Sequence, residues 1–400
     1  MAGPESAAHG LADHDSHWRE NREAVRVRTV AGRFVALALG VVVTALFAEI
    51  GIRFVAPQPL QHIQLDDQLY FVNRPFARFL YAKENEYSVD VAYNAWGFRG
   101  PIPDPSPAPG VTRILLIGDS QTEGLQVRYE ETYGAVLRQD LERLLPDRRF
   151  EVINLAVSAY GTHQEVLTLR RYGARVRPSW IVLGFYPGND LSDNVRWPLV
   201  TEDASGVRLA EHRFSFGRRL WLGTKVWLAS ISHLYTLSVS QVKALLSRPL
   251  LTQVGLLEPS SPVVEGVSRP LRITEQLLLI ARKDARNLGA QLVVLVIPER
   301  SQVMRPEESA HSGLDAIEQQ FVSWFEREEI PHVEALTPLR GARQRGENPF
   351  FRRDGHLNSA GHRVVGETLA RRFVPLLRQE SSENSRSCAR ELSAQGARAR

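Results

Sequence analysis

The sequence predicts an α/β protein with a central, mostly parallel sheet, preceded by a single N-terminal helix long enough to span a membrane. Three observations carry this. Short apolar runs at 114–117, 150–157, 180–186 and 291–297 alternate with amphipathic stretches of helical period, the pattern of strands joined by crossover helices. Residues 34–48, FVALALGVVVTALFA, carry no charge. The 400 residues, 43% hydrophobic and 24% charged, are enough for a well-buried core in one long domain or two short ones.

Along the chain, residues 1–33 are polar and read as a disordered leader. The apolar segment extends through 55 and reaches about 33 Å as a helix, enough for the hydrocarbon core of a bilayer. Glu49 and Arg53 are four apart, so they pair or snorkel at its far end. Arg19, Arg22, Arg26, Arg28 and Arg33 precede the segment and only Arg53 closely follows it. The positive-inside rule therefore places 1–33 in the cytoplasm and everything beyond 55 outside it, in the periplasm if the cell is Gram-negative. The long leader and the lack of a small-x-small site argue against a cleaved signal peptide. The lack of a polar face argues against a buried core helix.

Residues 56–110 read as a linker or N-terminal extension, with YNAWGFRG at 93–100 and the proline-rich PIPDPSPAPG at 101–110. YNAWGFRG is expected to brace the approach to the first strand; Arg99 touching substrate is the rival reading. The α/β domain spans 111–378. After the strand at 114–117 come a helix at 132–145, a strand at 150–157, a helix to about 175 and a strand at 180–186. The alternation breaks over 195–268, an insertion whose aromatic, basic stretch 214–246 reads as one or two helices, a lid or a surface lying on the membrane. Within it Trp197, Trp221 and Trp227 are candidate platforms for a carbohydrate, plain packing or membrane contact being the simpler account. The pattern resumes with a helix near 271–288, a strand at 291–297, a helix near 313–328, a strand at 332–336 and a last helix over 359–378 capped by Asn358 or Ser359. Arg300 and Gln302, after the fourth strand, fall on the rim where strands end, as substrate contacts or as a solvated loop. Residues 379–400 read as a disordered polar tail.

The formal net charge of +4 comes largely from arginines at the two ends, with Arg386, Arg390, Arg398 and Arg400 in the tail. No basic stripe interleaved with stacking aromatics lies between, so nucleic acid is not an expected partner. A single cysteine, Cys388, excludes an intramolecular disulfide framework and a Cys-rich zinc site. No metal-ligand spacing is visible, and no metal or cofactor is expected.

Chemistry concentrates in a few loops. Gly118-Asp119-Ser120 follows the first strand, and a serine at the C-terminal end of a parallel strand stands where open α/β sheets form their ligand crevice. Asp354 and His356 lie just before the last helix; two apart on an extended segment, they point the same way and supply a base and its orienting carboxylate. His362 is a rival base placed inside that helix. Between them, NLAVSAYGT (154–162) and Gly188-Asn189-Asp190 end the second and third strands on the same rim. Backbone N–H groups and an asparagine amide there suit an oxyanion site.

ILLIGDSQTEG (114–124), NLAVSAYGT (154–162), GND (188–190) and DGHLNSAGH (354–362) resemble, in order, the conserved blocks of the SGNH, or GDSL-type, hydrolases. The resemblance covers roughly 111–378 with a gap over the insertion. It implies a flavodoxin-like three-layer α/β/α sandwich and serine-dependent ester chemistry. It further implies Ser120 as nucleophile, His356 as base, Asp354 as its partner, and an oxyanion hole of the Ser120 N–H, a second-block N–H and the Asn189 side chain. The family's second-block glycine aligns with Ala159, so that donor is either Ala159 or Gly161. The Asp-x-His spacing also resembles that of SGNH-like domains that acetylate exopolysaccharides. The expected function is an anchored acyl or acetyl esterase acting outside the cytoplasm on an acylated glycan or lipid. One alternative is an O-acyltransferase using the same triad, and another a silent scaffold retaining the fold.

Overall fold

The computed structural model describes residues 32–196, 199–203, 206–210, 212–245, 268–305 and 313–398. Most of the leader expected to be disordered, and Trp197, lie outside the described residues. The chain divides into two units, residues 1–61 with 227–258 and residues 62–226 with 259–400.

In chain order, the apolar segment forms helix α1 (Gly32–Val55), with a mean hydropathy of 2.3 and none of it buried. By length and composition it can cross a membrane, a test that an N-terminal signal sequence also passes. Residues read from sequence as a linker form two antiparallel hairpins, β1 (Ile63–Asp66) with β2 (Tyr70–Asn73) and β3 (Arg78–Lys83) with β4 (Tyr87–Ala92). The sheet then begins with β5 (Val111–Gly118), followed by a single helical turn α2 (Ser120–Glu123) and helix α3 (Tyr133–Leu144). Next come β6 (Arg149–Asn154), α4 (Thr162–Val176), β7 (Trp180–Phe185) and α5 (Asp190–Arg196). The insertion holds a hairpin that the sequence did not announce, β8 (Val200–Asp203) with β9 (Gly206–Leu209), then two helices, α6 (Phe216–Ile231) and α7 (His233–Leu245). The alternation returns with α8 (Ser268–Asn287), β10 (Gln291–Val296), α9 (Arg300–Met304), α10 (Gly313–Arg327), β11 (His332–Glu334), α11 (Leu336–Gln344) and α12 (Ser359–Arg398). Helix α12 continues past the end expected near 378, into residues read from sequence as tail.

In the larger unit five strands pair in the order β11-β10-β7-β5-β6, every pair parallel. Numbered along the sheet alone, this is 2-1-3-4-5 read from the other edge, the flavodoxin-like order. Every residue of β7 is buried, as both faces of a central parallel strand must be. One face of the sheet packs on Val166 and Leu169 of α4, Leu278 and Ala281 of α8, and Phe321 and Phe325 of α10. The other packs on Leu137 and Leu141 of α3, Leu339 of α11, and Val365, Leu369 and Phe373 of α12. Each fully buried aliphatic or aromatic side chain contributes about 1.5–3 kcal/mol, so the three-layer arrangement follows from covering both faces. The first hairpin belongs to this core, with Leu69, Tyr70 and Phe71 packing beside Phe98 in the first cluster, whereas Val89 and Val91 of the second pack in a separate small cluster with Tyr93 and Leu125. The order of strands reverses on either side of β5, which leaves a crevice between the C-terminal ends of β5 and β7.

In the smaller unit the last turns of α1 meet the start of α7. Glu49 accepts hydrogen bonds from the Ser232 hydroxyl (2.8 Å) and from the His233 and Leu234 N–H groups (3.0 and 2.9 Å). Arg53 donates to Glu49 (2.8 Å) and to the Ile231 carbonyl (2.7 Å).

Candidate active site

Ser120 is the first residue of α2, two residues beyond the last of β5. Asp119 caps the turn, its Oδ1 accepting from the Gln121 N–H at 2.9 Å. Gly118 has no positive φ, and its role is room. A Cβ on Gly118 or on its β7 partner Gly184 would stand 2.1 or 2.3 Å from the Thr122 hydroxyl. Two glycines at paired strand ends thus let the serine's turn sit directly on the sheet.

His356 reaches this serine from the loop before α12. Its Nε2 lies 2.8 Å from Ser120 Oγ, and its Nδ1 is hydrogen-bonded to Asp354 Oδ1. The loop is not the extended segment expected: Gly355, between the two, has φ +84°, so the chain turns there and the imidazole folds back onto the carboxylate. Phe351 N–H to the His356 carbonyl (3.0 Å) and Asn358 N–H to the Pro349 carbonyl (3.0 Å) close the loop on itself. Gln121 Oε1 accepts from Leu357 N–H at 3.2 Å, tying the loop to the serine's turn. Asn358 is the cap of α12, accepting from the Ala360 and Gly361 N–H groups. The rival His362 is fully buried; its Nδ1 accepts from Tyr133 N–H at 3.2 Å at the start of α3, and burial pushes its pKa down to about 3. It is a neutral helix-capping residue, out of hydrogen-bonding company with Ser120.

Asp354 has further partners on the N-terminal hairpin. Its Oδ2 accepts from the Tyr87 hydroxyl at 2.9 Å and the Lys83 ammonium at 3.4 Å, and Gln126 Nε2 stands 3.5 Å from Oδ1. Burial alone would raise this carboxyl. The hydrogen bond and charge of His356, with Tyr87 and Lys83, outweigh that and hold it well below the usual carboxylate range.

Of the expected oxyanion donors, Ala159 sits in the left-handed region at φ +65°, and its N–H donates to none of the described residues. The Gly161 N–H points to Gln164 Oε1 at 3.4 Å, and Gly161 itself is packed so closely that a Cβ would meet Asn194 Oδ1 at 2.8 Å. The geometry therefore favours Ala159 over Gly161. The loop carrying Ala159 is held by Glu123, whose buried carboxylate accepts from the Ser158 N–H (2.6 Å), the Ser158 hydroxyl, the Asn73 amide (3.0 Å) and the Tyr93 hydroxyl (2.8 Å). Asn189 donates one amide hydrogen to Asp119 Oδ2 at 3.0 Å; the same Nδ2 carries a second. Burial pushes Asp119 up to about 6, against the pull of the Gln121 N–H, Asn189 and His356. Glu165 and Asp190 are fully buried, and burial raises both well above the carboxylate range, helped by the charges of Asp190 and Asp119 at Glu165 and of Asp119 and Asp193 at Asp190.

Arg99 does not reach the serine. Its guanidinium is buried and donates to the carbonyls of Glu123, Gly124 and Val127, so YNAWGFRG braces the loop that follows α2. Gln302 is likewise internal, donating to Asp315 and Glu318. In the insertion Trp221 is exposed under the Lys225 ammonium, 4.2 Å from its ring centroid. Sequence reasoning missed Gln121, Glu123, Lys83, Tyr87, Asn73 and Tyr93. Gln121 and Glu123 carried a signal, since they stand inside the GDSQTEG run. The hairpin residues carried none.

Parallel strands in flavodoxin-like order, with serine, imidazole and carboxylate in a hydrogen-bonded line at the switch point, define an α/β protein of the acylhydrolase type. More particularly, the chain belongs to the GDSL-like lipase/acylhydrolase family, whose model matches residues 116–364. No curated protein matches the chain. Solved structures similar to it include TesA, at 15% identity and a TM-score of 0.38 over 66% of this chain and 99% of that one. A member of the lipolytic protein G-D-S-L family from Veillonella parvula DSM 2008 is 12% identical, with a TM-score of 0.36 over 64% and 95%. The acetyl xylan esterase AlAXEase is 10% identical, with a TM-score of 0.36 over 64% and 97%.

Proposed function

We propose that this chain is a serine-dependent ester hydrolase, anchored by α1 and acting outside the cytoplasm on an acylated glycan or lipid. The observation that supports this best is the line from Ser120 Oγ through the His356 imidazole to Asp354, with 2.8 Å between hydroxyl and Nε2. Ser120 Oγ attacks the acyl carbonyl as His356 Nε2 takes its proton. Asp354 keeps the Nδ1–H tautomer and offsets the imidazolium charge. The oxyanion is met by the Ser120 and Ala159 N–H groups and the second amide hydrogen of Asn189. The imidazolium then protonates the leaving alkoxide, and water repeats the sequence on the acyl-enzyme. The Asp-x-His spacing supports a second reading, in which a sugar hydroxyl replaces that water and the acyl group is transferred.

The test uses the full chain in detergent micelles with p-nitrophenyl acetate and a fluorophosphonate probe. Release and labelling in the wild type are expected to fall by roughly ten-thousand-fold in Ser120→Ala and His356→Ala. Added oligosaccharide acceptors that gain acetyl groups would select transfer. Labelling that survives in Ser120→Ala would place the nucleophile elsewhere, and an inert, folded wild type would favour the silent scaffold.

A further inference from the structure

We infer that Tyr87 and Lys83 are positioning residues for the Asp354–His356 pair, so that a hairpin upstream of the family-matched residues completes the site. The inference rests on the triad proposed above. The two oxygens of Asp354 are divided between two structures: Oδ1 serves His356, while Oδ2 takes the Tyr87 hydroxyl at 2.9 Å and the Lys83 ammonium at 3.4 Å. The loop bearing the pair turns at Gly355, φ +84°, where the backbone by itself does little to fix the carboxylate's rotation.

The hairpin supplies that constraint because it is itself held on both sides. Glu86 accepts from the Arg353 N–H at 2.5 Å, and the Tyr87 ring packs edge-on against Phe351 with centroids 5.0 Å apart. Tyr81 stacks on Tyr87 at 5.5 Å. Further along the same face Val89, Val91 and Tyr93 pack on Leu125, next to the glycine that ends the serine's helical turn. One hairpin thus touches both the turn that carries Ser120 and the loop that carries its base.

Removing the Tyr87 hydroxyl frees Oδ2 and lets the carboxylate swing, which slows proton transfer without touching substrate. Removing the Lys83 ammonium takes the second donor from Oδ2 and leaves that oxygen held by the Tyr87 hydroxyl alone. The other titratable groups facing the pair are Glu86, Tyr81 and Tyr87 on the hairpin, Asp119 beside Ser120, and buried His362.

The experiment compares the full-length wild type with Tyr87→Phe, Lys83→Met and Lys83→Arg in micelles. It reads kcat and KM against pH, and the downfield proton resonance of the Asp354–His356 hydrogen bond, which needs no turnover. Tyr87→Phe is expected to lower kcat about ten-fold with KM within about two-fold, and to move the resonance. Lys83→Met is expected to lower kcat about three-fold with KM within about two-fold and to move the resonance, and Lys83→Arg to restore both. An active wild type whose variants keep its kcat and resonance overturns the inference and leaves the proposed function standing. A wild type inert to the probe, with a resonance that shifts in Tyr87→Phe, removes the proposed function and upholds the positioning role.

Discussion

Ala159 shows how a single residue carries a cost that only its neighbours make tolerable. A side chain with a Cβ at φ +65° is disfavoured by about 1–2 kcal/mol. The conformation is imposed from both sides: Glu123 holds the Ser158 N–H at 2.6 Å, and the Tyr160 hydroxyl donates to the Phe71 carbonyl at 2.8 Å. The strained turn leaves the Ala159 N–H without a protein acceptor among the described residues, as the proposed oxyanion role requires. Ala159→Gly relieves the strain at the expense of added freedom in the unfolded chain, a net gain of about 0.5 kcal/mol and a melting temperature higher by roughly 1–2 °C. Because the donor is backbone, kcat is expected to stay within about two-fold. Calorimetry and ester kinetics on the two proteins check both parts, and a lower melting temperature would show that the position is not strained.

At the scale of elements, the serine's turn depends on how closely α2 rests on the ends of β5 and β7. Thr122 fills the space above Gly118 and Gly184, and its hydroxyl is pinned by the Tyr133 hydroxyl at 2.9 Å. In Gly118→Ala the new methyl would displace Thr122, and Ser120 with it. A destabilisation of about 1–3 kcal/mol and a loss of kcat of ten-fold or more are expected, read by denaturant melts and kinetics. Unchanged kcat would mean the turn has slack that the packing denies. These sheet strands were legible from sequence because buried parallel strands must be continuous apolar runs, as ILLIG is, and because chemistry gathers at their C-terminal ends. The members of the proposed triad could be named as candidates because Ser120 follows such a run and Asp354 and His356 stand together in DGHLNSAGH. The two N-terminal hairpins could not. Their strands are four to six residues long with alternating or partial burial, and Tyr87 matters through a contact with Asp354, 267 residues away in sequence. YSVDVA does alternate with the period of a strand, but nothing local in it points to Asp354. The turn at Gly355 was missed for a related reason: two residues with aligned side chains suggest a strand, and a glycine bend brings them together equally well.

For the whole molecule, the question raised by α1 is whether it stays on the chain. A removed signal sequence would leave a protein free in its compartment; a retained helix would hold it at a membrane. Within the smaller unit Glu49 accepts from the His233 and Leu234 N–H groups, the first donors of α7, and from the Ser232 hydroxyl, while Arg53 bonds both Glu49 and the Ile231 carbonyl. Cleavage after α1 would remove this cap and leave those N–H groups to find other partners, at about 0.5–2 kcal/mol. A dispensable leader has no reason to supply the cap of a helix nearly two hundred residues later. The chain is therefore expected to keep α1, to sediment with membranes, to resist carbonate extraction and to come off in detergent with its full mass. Glu49→Ala should speed amide hydrogen exchange over 233–238 while leaving β7, buried at every position, unchanged. A product truncated near residue 56 and found in the soluble fraction would instead make α1 a signal sequence, and the Glu49 contacts a feature of the precursor alone.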